Sequence, residues 1–474
     1  MGDSKKEKPV RKTRTWACIG LSSLLGVVLV IGGILVCILF KDFLENMIRD
    51  QIPLRVGSKI TDAWLHPPVK PLMRLYFFNT TNPEGFLKGE KPFLVEMGPY
   101  TWEETMEKVG VVWGEDGSTV KYSVKRTYRF RRDLSIGGVE DRVTLPNIPM
   151  FGSINQMRWA GKLVQQALSS MLDILKQEVF NSTTVGEIVW GFDHPLIKLG
   201  NDVLPPEKKL PFDKFGFFTN VSKGSDGTLF HPALVRNETL HMYNKALCQS
   251  LPLVYQEDVD HHGVNTYRFV PPSNVFGTPK ENPKNKCYCK EEPCAPSGLF
   301  NVSACQFGSP VMLSWPHFYQ ADPSLVDAVD GLNPTREKHQ FQMDLVPKMG
   351  IAMHATARSQ INLVMQAQEH VKQLQGVRDI IYPIFWFQTG VDELPEDTVN
   401  LLQMAVHAPE RARSILYPIL FAVGALLILS VVAYLVKSLL LRRSKEEKVE
   451  NGGHQLPGKT TQARTPPPDY NESA

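Results

Sequence analysis

Two long apolar blocks stand near opposite ends of the chain. The first runs over 16–40 and the second over 415–436, and neither contains a charged side chain. As helices, these 25 and 22 residues extend roughly 37 and 33 Å, enough to cross a hydrocarbon core of about 30 Å. A cleavable signal peptide is the alternative for the first block, but its apolar core would be only about 7–15 residues long. We therefore predict an uncleaved signal anchor at 16–40 and a second transmembrane helix at 415–436.

The segment between the blocks mixes two hydrophobic periods. Apolar and polar residues alternate over 120–130, which predicts a strand with one buried face, and Glu115–Ser118 before it has the composition of a hairpin turn. Between 153 and 180, apolar residues recur every three or four positions, which predicts a helix with one apolar face. The members of that face are Val164, Leu168, Met171, Leu172, Leu175 and Val179. This face either packs inside the protein or contacts lipid or a partner. Because no repeat or Gly/Ser linker divides 41–414, we predict one large α+β domain.

Charge next to the apolar blocks predicts the orientation of the chain. Residues 1–15 carry six Lys or Arg and two acids, and residues 437–474 sum to +2. The positive-inside bias places both of these tails in the cytosol. The loop 41–414 then lies outside the cytosol, although Arg411 and Arg413 lie close to the second span. We predict an ectodomain at 41–414 between cytosolic tails at 1–15 and 437–474.

The total charge excludes one class of function. The chain has 52 Lys plus Arg against 49 Asp plus Glu, a net charge of only +3. A dedicated nucleic-acid-binding protein has a strongly basic surface, so no nucleic-acid partner is predicted. A hydrophobic content of 43% also argues against a largely disordered chain.

Glycosylation motifs support the outside location of the loop. The sequons in the loop begin at Asn79, Asn181, Asn220, Asn237 and Asn301. A sixth, at Asn471, lies in the predicted cytosolic tail, where no glycan would be added.

Cysteine placement agrees with an oxidising compartment. Cys18 and Cys37 lie in the first apolar block. The others are Cys248, Cys287, Cys289, Cys294 and Cys305. Their spacings lack the usual paired pattern of zinc sites, and thiols outside the cytosol oxidise, so we predict disulfides and no metal site. Five cysteines in the loop leave one without a partner.

Several motifs resemble those of the class B scavenger receptors. They include Tyr76–Glu84, Gly98–Tyr100, Val189–Phe192, Tyr267–Pro272 and Cys287–Cys289. The most specific is Ser314-Trp-Pro-His-Phe-Tyr-Gln-Ala-Asp-Pro323, which is followed by Gly331–Pro334. With the two flanking spans, the resemblance covers nearly the whole chain. The high-density-lipoprotein receptor, fatty acid translocase and lysosomal branches all belong to this family.

The resemblance implies a fold and a candidate ligand site. The family fold is an antiparallel β-barrel-like core with a helical bundle at its apex, here at about 150–195, and a hydrophobic tunnel that leads toward the membrane. Basic residues at the apex receive anionic ligands or lipoprotein particles. By this resemblance the candidate ligand-binding residues are Lys176, with Lys162 and Arg158 nearby. The alternative is that each is an ordinary solvated charge on a helix.

The resemblance also implies a disulfide pattern and a missing segment. Relatives have several dozen residues between the equivalents of Phe218 and Gly224, where this chain has almost none. The family pairing carried over to this chain is Cys248–Cys305 and Cys289–Cys294. Cys287 is then left unpaired, because its partner would lie in the missing stretch. A Cys287–Cys289 bridge is the alternative.

The implied function is that of a cell-surface receptor for lipid. It docks lipoproteins or lipid carriers and transfers apolar lipid (sterol ester, fatty acid or carotenoid) through the tunnel to the membrane. The alternative is a receptor for protein cargo or particles, as in lysosomal enzyme sorting or phagocytic recognition. The tail lacks the acidic dileucine signal of the lysosomal branch, which favours the plasma membrane over an endosome or lysosome membrane. Whether the chain forms a homo-oligomer is left open.

One motif in the C-terminal tail predicts a partner. Pro467-Pro468-Asp469-Tyr470 is a PPxY sequence, which in extended polyproline form suits the groove of a WW domain. Pro-rich disorder without a partner is the alternative.

Catalytic motifs give no support for an enzyme. Gly453–Thr460 matches the P-loop pattern, but it lies in a short polar tail without the strand and helix that such a loop requires. Neither the metalloprotease nor the serine hydrolase motif occurs, and His261-His262 is interpreted as a solvated turn. We predict no catalytic residues and no cofactor.

Overall fold

A computed structural model describes residues 10–51, 59–115, 119–203, 209–210, 212–218, 230–244, 249–289 and 294–451. The described residues of Met1–Asn46 and His407–Ala474 form one compact unit, and those of Met47–Val406 form a second. The helices are α1 Val10–Gln51, α2 Lys59–Leu65, α3 Pro83–Leu87, α4 Ile148–Gln156, α5 Lys162–Ile174, α6 Val185–Trp190, α7 Pro195–Val203, α8 Pro323–Asp327, α9 Arg336–His339 and α10 Glu396–Asn451. The strands are β1 Leu72–Thr80, β2 Leu94–Trp113, β3 Val120–Phe130, β4 Arg142–Pro146, β5 Phe180–Thr184, β6 Thr239–Asn244, β7 Gln249–His261, β8 Val264–Val270, β9 Phe300–Asn301, β10 Val311–Ser314, β11 Gln342–Val346, β12 Ile351–Met365 and β13 Ile380–Val391.

The first unit contains two helices that are long and apolar enough to cross a membrane. In the described part of the chain these stretches are Trp16–Phe40 of α1 and Glu410–Ser444 of α10. The helices lie close together where a glycine of one faces a glycine of the other. A Cβ added to Gly424 would lie only 2.8 Å from the carbonyl oxygen of Gly26. Small residues at such a crossing let two helix backbones pack closely in lipid.

Most strands of the second unit belong to one antiparallel sheet. Its order is β3-β2-β1-β13-β12-β11-β8-β7-β6, and β10 and β9 branch from β12. Some central pairs join strands that are far apart in sequence. β1 pairs with β13, and β11 lies between β12 and β8 and pairs with both. The expected barrel-like core is corrected in one respect: among the described residues the sheet does not close, because β3 and β6 remain at opposite edges.

The strand predicted at 120–130 forms as β3. Its even-numbered residues are half-buried, while Lys121, Lys125, Thr127 and Arg129 are exposed. The antiparallel pairing of Trp113 with Val120 joins β2 and β3. The turn predicted at Glu115–Ser118 lies mostly outside the described residues, which omit 116–118.

The segment predicted as one helix over 153–180 is two helices. α4 begins earlier than predicted, at Ile148, and ends at Gln156, and α5 begins only at Lys162 after a turn that contains Gly161. The chain then leaves the helix and enters β5 at Phe180. Glycine lacks a Cβ and is a poor helix former, so the turn forms where the periodicity alone predicts continuity. Leu168 and Leu172 are buried as expected, whereas Val164 is 48% exposed.

Candidate functional site

The predicted apex segment includes α4, which is fixed at both ends by side-chain hydrogen bonds. Asn147 caps the helix by accepting a hydrogen bond from the backbone N–H of Met150 at 3.1 Å. At the other end, Asn155 and Gln156 donate to the carbonyls of Gly308 and Phe307, at 3.0 and 2.8 Å. The turn that follows α4 is therefore held in one place.

That turn and the start of α5 present an unusual surface. Trp159 is 78% exposed and Leu163 is 81% exposed, and each lies beside a cation in sequence. The guanidinium of Arg158 lies 5.0 Å from the centre of the Trp159 ring, within the range of a cation–π contact. We call Arg158, Trp159, Lys162 and Leu163 the tip surface. Its aromatic, aliphatic and basic groups are the combination that binds at the boundary between lipid and water.

The sequence analysis predicted the two cations of the tip surface but not its apolar members. The apolar stripe predicted from the sequence contains neither Trp159 nor Leu163. Trp159 lies in the turn before α5, and Leu163 lies on the exposed side of α5. The sequence offered one signal, the tryptophan that follows Arg158. A tryptophan is equally typical of a protein core, so this signal alone does not predict an exposed side chain.

Lys176 lies at the opposite end of α5 from Lys162. With about 1.5 Å of rise per residue, the fourteen positions between them span roughly 20 Å. The backbone of Lys176 is left-handed, with φ of +51°. Its N–H donates to the carbonyl of Asp173, and the N–H of Gln177 donates to that of Leu172. This pattern is a Schellman motif, so Lys176 terminates α5 at a position that glycine usually occupies.

The buried face of α5 is fastened to the short 3₁₀ turn Lys372–Leu374. The hydroxyl of Ser169 accepts from the backbone N–H of Lys372 at 3.0 Å. The amide of Gln373 donates to the carbonyl of Ser169 and to the carboxylate of Asp173, both at 2.9 Å. These contacts join α5 to the loop before β13.

The most specific family motif lies in the interior instead of on the surface. Ser314, Trp315, Pro316, His317 and Phe318 are all buried. The backbone N–H of His317 donates to the Gln360 side chain at 2.6 Å. The first five residues of the motif therefore belong to the protein interior, whereas Gln320 and Pro323 are exposed.

Two stacked histidines accompany a partly exposed carboxylate in this network. Nδ1 of His317 accepts a hydrogen bond from the backbone N–H of Asn333 at 3.0 Å. The ring proton is therefore on Nε2, which donates a hydrogen bond to the Glu96 carboxylate at 2.6 Å. Trp386 donates to the same Glu96 oxygen at 2.7 Å. Burial raises the pKa of Glu96, but the hydrogen bonds from His317 and Trp386 outweigh that effect and lower it overall. The His339 ring lies 4.4 Å from the His317 ring, and burial together with His317 lowers the pKa of His339 to about 3.

Two cavities in the described part of the chain are small. They measure about 120 and 10 Å³, whereas a pocket that encloses a small organic ligand measures about 300–1,000 Å³. The larger cavity is lined by residues that include His261, Asp392 and Glu393. The tunnel remains an implication of the resemblance.

The cysteines follow the family pairing where they are described. Cys289 and Cys294 form a disulfide with Cα atoms 5.3 Å apart, so the alternative Cys287–Cys289 bridge is wrong. Cys287 is free and exposed. Cys305 is disulfide-bonded, and its expected partner Cys248 lies outside the described residues.

The remaining predicted sites lie at the surface or outside the described residues. Asn237 is exposed, and Asn79, Asn181 and Asn301 are half-buried. The side-chain oxygen of Asn79 accepts from the backbone N–H of Thr144 at 2.8 Å. Asn220 and the tail residues Pro467, Pro468 and Tyr470 lie outside the described residues.

Known proteins resemble this chain over most of its length. Scavenger receptor class B member 1 from Bos taurus is 30% identical over 471 residues, which cover 90% of this chain and 91% of that protein. The protein of the same name from Cricetulus griseus is 28% identical, with 89% of this chain and 90% of that protein covered. Lysosome membrane protein 2 from Homo sapiens is 28% identical, with 82% and 89% covered.

A family model matches both halves of the chain. The CD36 family model matches residues 24–223 and again 219–435. The break between the two matches falls where Phe218 is followed almost directly by Gly224. Together, the two matches include nearly all of the ectodomain and most of both spans. The chain therefore belongs to the CD36 family.

Proposed function

We propose that this membrane receptor docks lipoprotein particles or lipid carriers at the apex and transfers their apolar lipid to the plasma membrane. The cargo class is sterol ester, fatty acid or carotenoid, and both termini lie in the cytosol. The tip surface is the observation that carries the proposal. Its exposed Trp159 and Leu163 stand beside Arg158 and Lys162 on a turn that hydrogen bonds hold in place.

The chemistry of the tip surface suits a lipid particle. A particle surface combines anionic headgroups with gaps that expose acyl chains, so cations and large apolar side chains both gain contacts there. Trp and Leu at a membrane surface bury apolar area, and nearby Arg and Lys add attraction to anionic lipid. An Arg stacked on an exposed Trp also stays near the boundary without losing its hydration.

A conduit through the ectodomain would supply the second half of the function. An apolar lipid that crosses water exposes its chain at a cost of about 0.8 kcal/mol per CH₂. A continuous apolar path removes that cost, and a concentration gradient then suffices to drive transfer. Neither of the two cavities described above reaches the size of such a ligand, so neither provides this path.

A comparison of binding with uptake tests this function. Cells that express the full chain receive particles that carry labelled sterol ester, fatty acid or carotenoid, and antibody labelling of the ectodomain measures surface delivery. We expect both particle binding and lipid uptake above untransfected cells. Binding without lipid uptake would favour the alternative, a receptor for protein cargo or particles. Retention in the endoplasmic reticulum would contradict a surface receptor.

Variants of the tip surface test where docking occurs. Trp159→Ser with Leu163→Ser should lower particle binding at least about tenfold, because both apolar anchors are lost. Arg158→Glu with Lys162→Glu should lower binding most at low salt. The matched control is Val112→Ser, which removes an apolar side chain that is 62% exposed on β2. Equal binding by the tip variants and the control would remove the tip surface from the proposal.

A further inference from the structure

A His–Asp–His cluster lies on the sheet far from the tip surface in sequence. Asp344 on β11 is directly opposite His354 on β12 and directly opposite Arg268 on β8. Nε2 of His261, the last residue of β7, lies 2.7 Å from Oδ2 of Asp344. Nδ1 of His354 lies 3.4 Å from the same oxygen. The three donor atoms of this cluster all lie within 4.8 Å of one another.

The carboxylate at the centre is oriented chiefly by an arginine. The Asp344 side chain is completely buried, and Arg268 donates to its two oxygens at 2.7 and 2.8 Å. The two histidines contact this carboxylate in addition to its ion pair with Arg268.

One imidazole nitrogen at this cluster makes only a long contact with Asp344. Nδ1 of His354 is buried and makes no hydrogen bond with the residues that the structure describes. Buried polar atoms are almost always satisfied, so an exception requires an explanation such as an ion or a water. This nitrogen is on the side of the ring that approaches Oδ2 of Asp344.

The distances suit a small tetrahedral cation. Zinc binds imidazole nitrogen and carboxylate oxygen at about 2.0–2.2 Å, which places neighbouring ligand atoms roughly 3.3 Å apart. The 3.4 Å between His354 and Asp344 already matches this separation. His261 would have to withdraw by roughly 0.6 Å. It can do so because it ends its strand and its side chain is 24% exposed.

A cavity next to the cluster offers room for a further ligand. The cavity measures about 120 Å³ and is lined by His261, by Met353 beside His354, and by the acidic residues Asp392 and Glu393. That volume holds several water molecules. The two carboxylates give its wall a charge that attracts cations, although Asp392 also pairs with Arg74.

We propose that His261, Asp344 and His354 bind one Zn²⁺, with a water molecule from the adjacent cavity as fourth ligand. Two imidazoles and one carboxylate form a donor set typical of zinc, whereas magnesium and calcium take oxygen ligands. Arg268 is the outer-shell partner that orients the carboxylate. The ion joins β7, β11 and β12, and it holds the His262 turn, whose carbonyl accepts from Gln403 of α10. The site is independent of the proposed lipid transfer.

Zinc titration of the full chain tests the site. The protein is purified in detergent without a polyhistidine tag, stripped with a chelator and titrated with ZnCl₂, and bound zinc is counted by mass spectrometry. We expect one zinc per chain and a zinc-dependent rise in the melting temperature. His354→Ala and His261→Ala should each weaken zinc binding by more than about tenfold, since loss of even an outer-shell partner costs about that much. Bound Co²⁺ should show the intense visible bands of a four-coordinate site.

Two controls keep the proposal falsifiable. His241→Ala removes an exposed histidine on β6 and should bind zinc as the natural chain does. His354→Asn is a second variant of the buried ligand for the case in which His354→Ala does not fold. Absence of stoichiometric zinc from the natural chain would overturn the proposal. So would folded His354 and His261 variants that bind zinc as tightly as the natural chain.

Discussion

Lys176 shows at the scale of one residue how backbone geometry bears on a role proposed from charge. The family resemblance makes it a candidate ligand-binding lysine. The structure places it in a left-handed conformation at the end of α5, where a side chain is unfavourable. Its positive charge also lies near the C-terminal end of the helix dipole, which is a stabilising location. Lys176 therefore affects the stability of α5 in two ways, neither of which requires contact with a ligand.

Substitution of Lys176 separates these roles. Lys176→Gly should raise the free energy of unfolding by about 0.5–1 kcal/mol, because glycine adopts positive φ without steric conflict. Lys176→Ala keeps the strain and should not stabilise. Thermal unfolding measures both variants, and particle binding is measured in parallel. We expect binding by Lys176→Gly to equal that of the natural chain, and a clear loss would return Lys176 to the docking surface.

At the scale of an element, α7 begins with a buried histidine. Nδ1 of His194 accepts a hydrogen bond from the backbone N–H of Leu196 at 3.3 Å, as an N-cap side chain does. Burial lowers the pKa of His194 to about 4. The folded chain therefore keeps this imidazole neutral at a pH where the unfolded chain, with an ordinary pKa of about 6.5, binds a proton.

This difference predicts an acid sensitivity of the apex. Between about pH 6.5 and 4 the unfolded state binds the extra proton, so stability falls as pH falls through this window. At pH 5 we expect a loss of up to about 2 kcal/mol from His194, because the buried ring is little screened by solvent. His194→Asn keeps the capping acceptor but does not titrate. Melting temperatures between pH 7.4 and 5 should therefore fall less for His194→Asn than for the natural chain, and identical slopes would contradict the assignment.

The elements of the apex also show where local pattern misleads. The periodic apolar residues over 153–180 predict one helix, and two of them, Leu168 and Leu172, are buried on α5. The pattern does not reveal the turn at 157–161, because the hydrogen bonds from Asn155 and Gln156 that support it go to residues more than 150 positions away. The prediction of strand β3 was confirmed, since the alternation of apolar and polar residues on which it rests lies entirely within the strand.

At the scale of the whole molecule, the two membrane helices are held by close packing. Gly26 and Gly424 face each other, and a Cβ on Gly26 would lie 2.9 Å from Ile428 and 3.1 Å from the carbonyl of Gly424. Gly32, on the same helix as Gly26, has no atom within 4 Å of its added Cβ. In lipid, helices associate largely through such close contacts, because lipid tails are as apolar as the helix surfaces and the hydrophobic effect does not drive helix association.

Glycine variants test this pairing. Gly424→Leu should force the helices apart at a cost of about 1–3 kcal/mol, because two of the three nearest opposing atoms belong to the backbone of the other helix. Gly32→Leu is the matched control and should be tolerated. The guanidinium of Arg413 lies 3.6 Å from the sulfur of Cys37, so in an Arg413→Cys background a thiol-specific cross-linker about as long as the arginine side chain reports the pairing with Cys37. Cross-linking should fall with Gly424→Leu and persist with Gly32→Leu, and an equal yield from both would contradict the pairing.

Sequence alone determined the features of this chain that depend on residues close together in the sequence. The apolar blocks, the charge of their flanks, the alternation of β3 and the family motifs are each contained in a short stretch, so no knowledge of distant residues is needed to recognise them. The disulfide between Cys289 and Cys294 also joins residues five positions apart.

Tertiary structure decided the features that bring distant residues together. Arg74 meets Asp392 across 318 positions, and the open sheet follows from such pairings. The tip surface requires knowledge of which side of α5 is covered by Lys372–Leu374. The His–Asp–His cluster joins strands whose order in the sheet no local pattern specifies, and His261, expected in a solvated turn, lies against a buried carboxylate. Local sequence sets the conformational preference of each segment, but the partner that covers a face depends on the free energy of packing the whole chain.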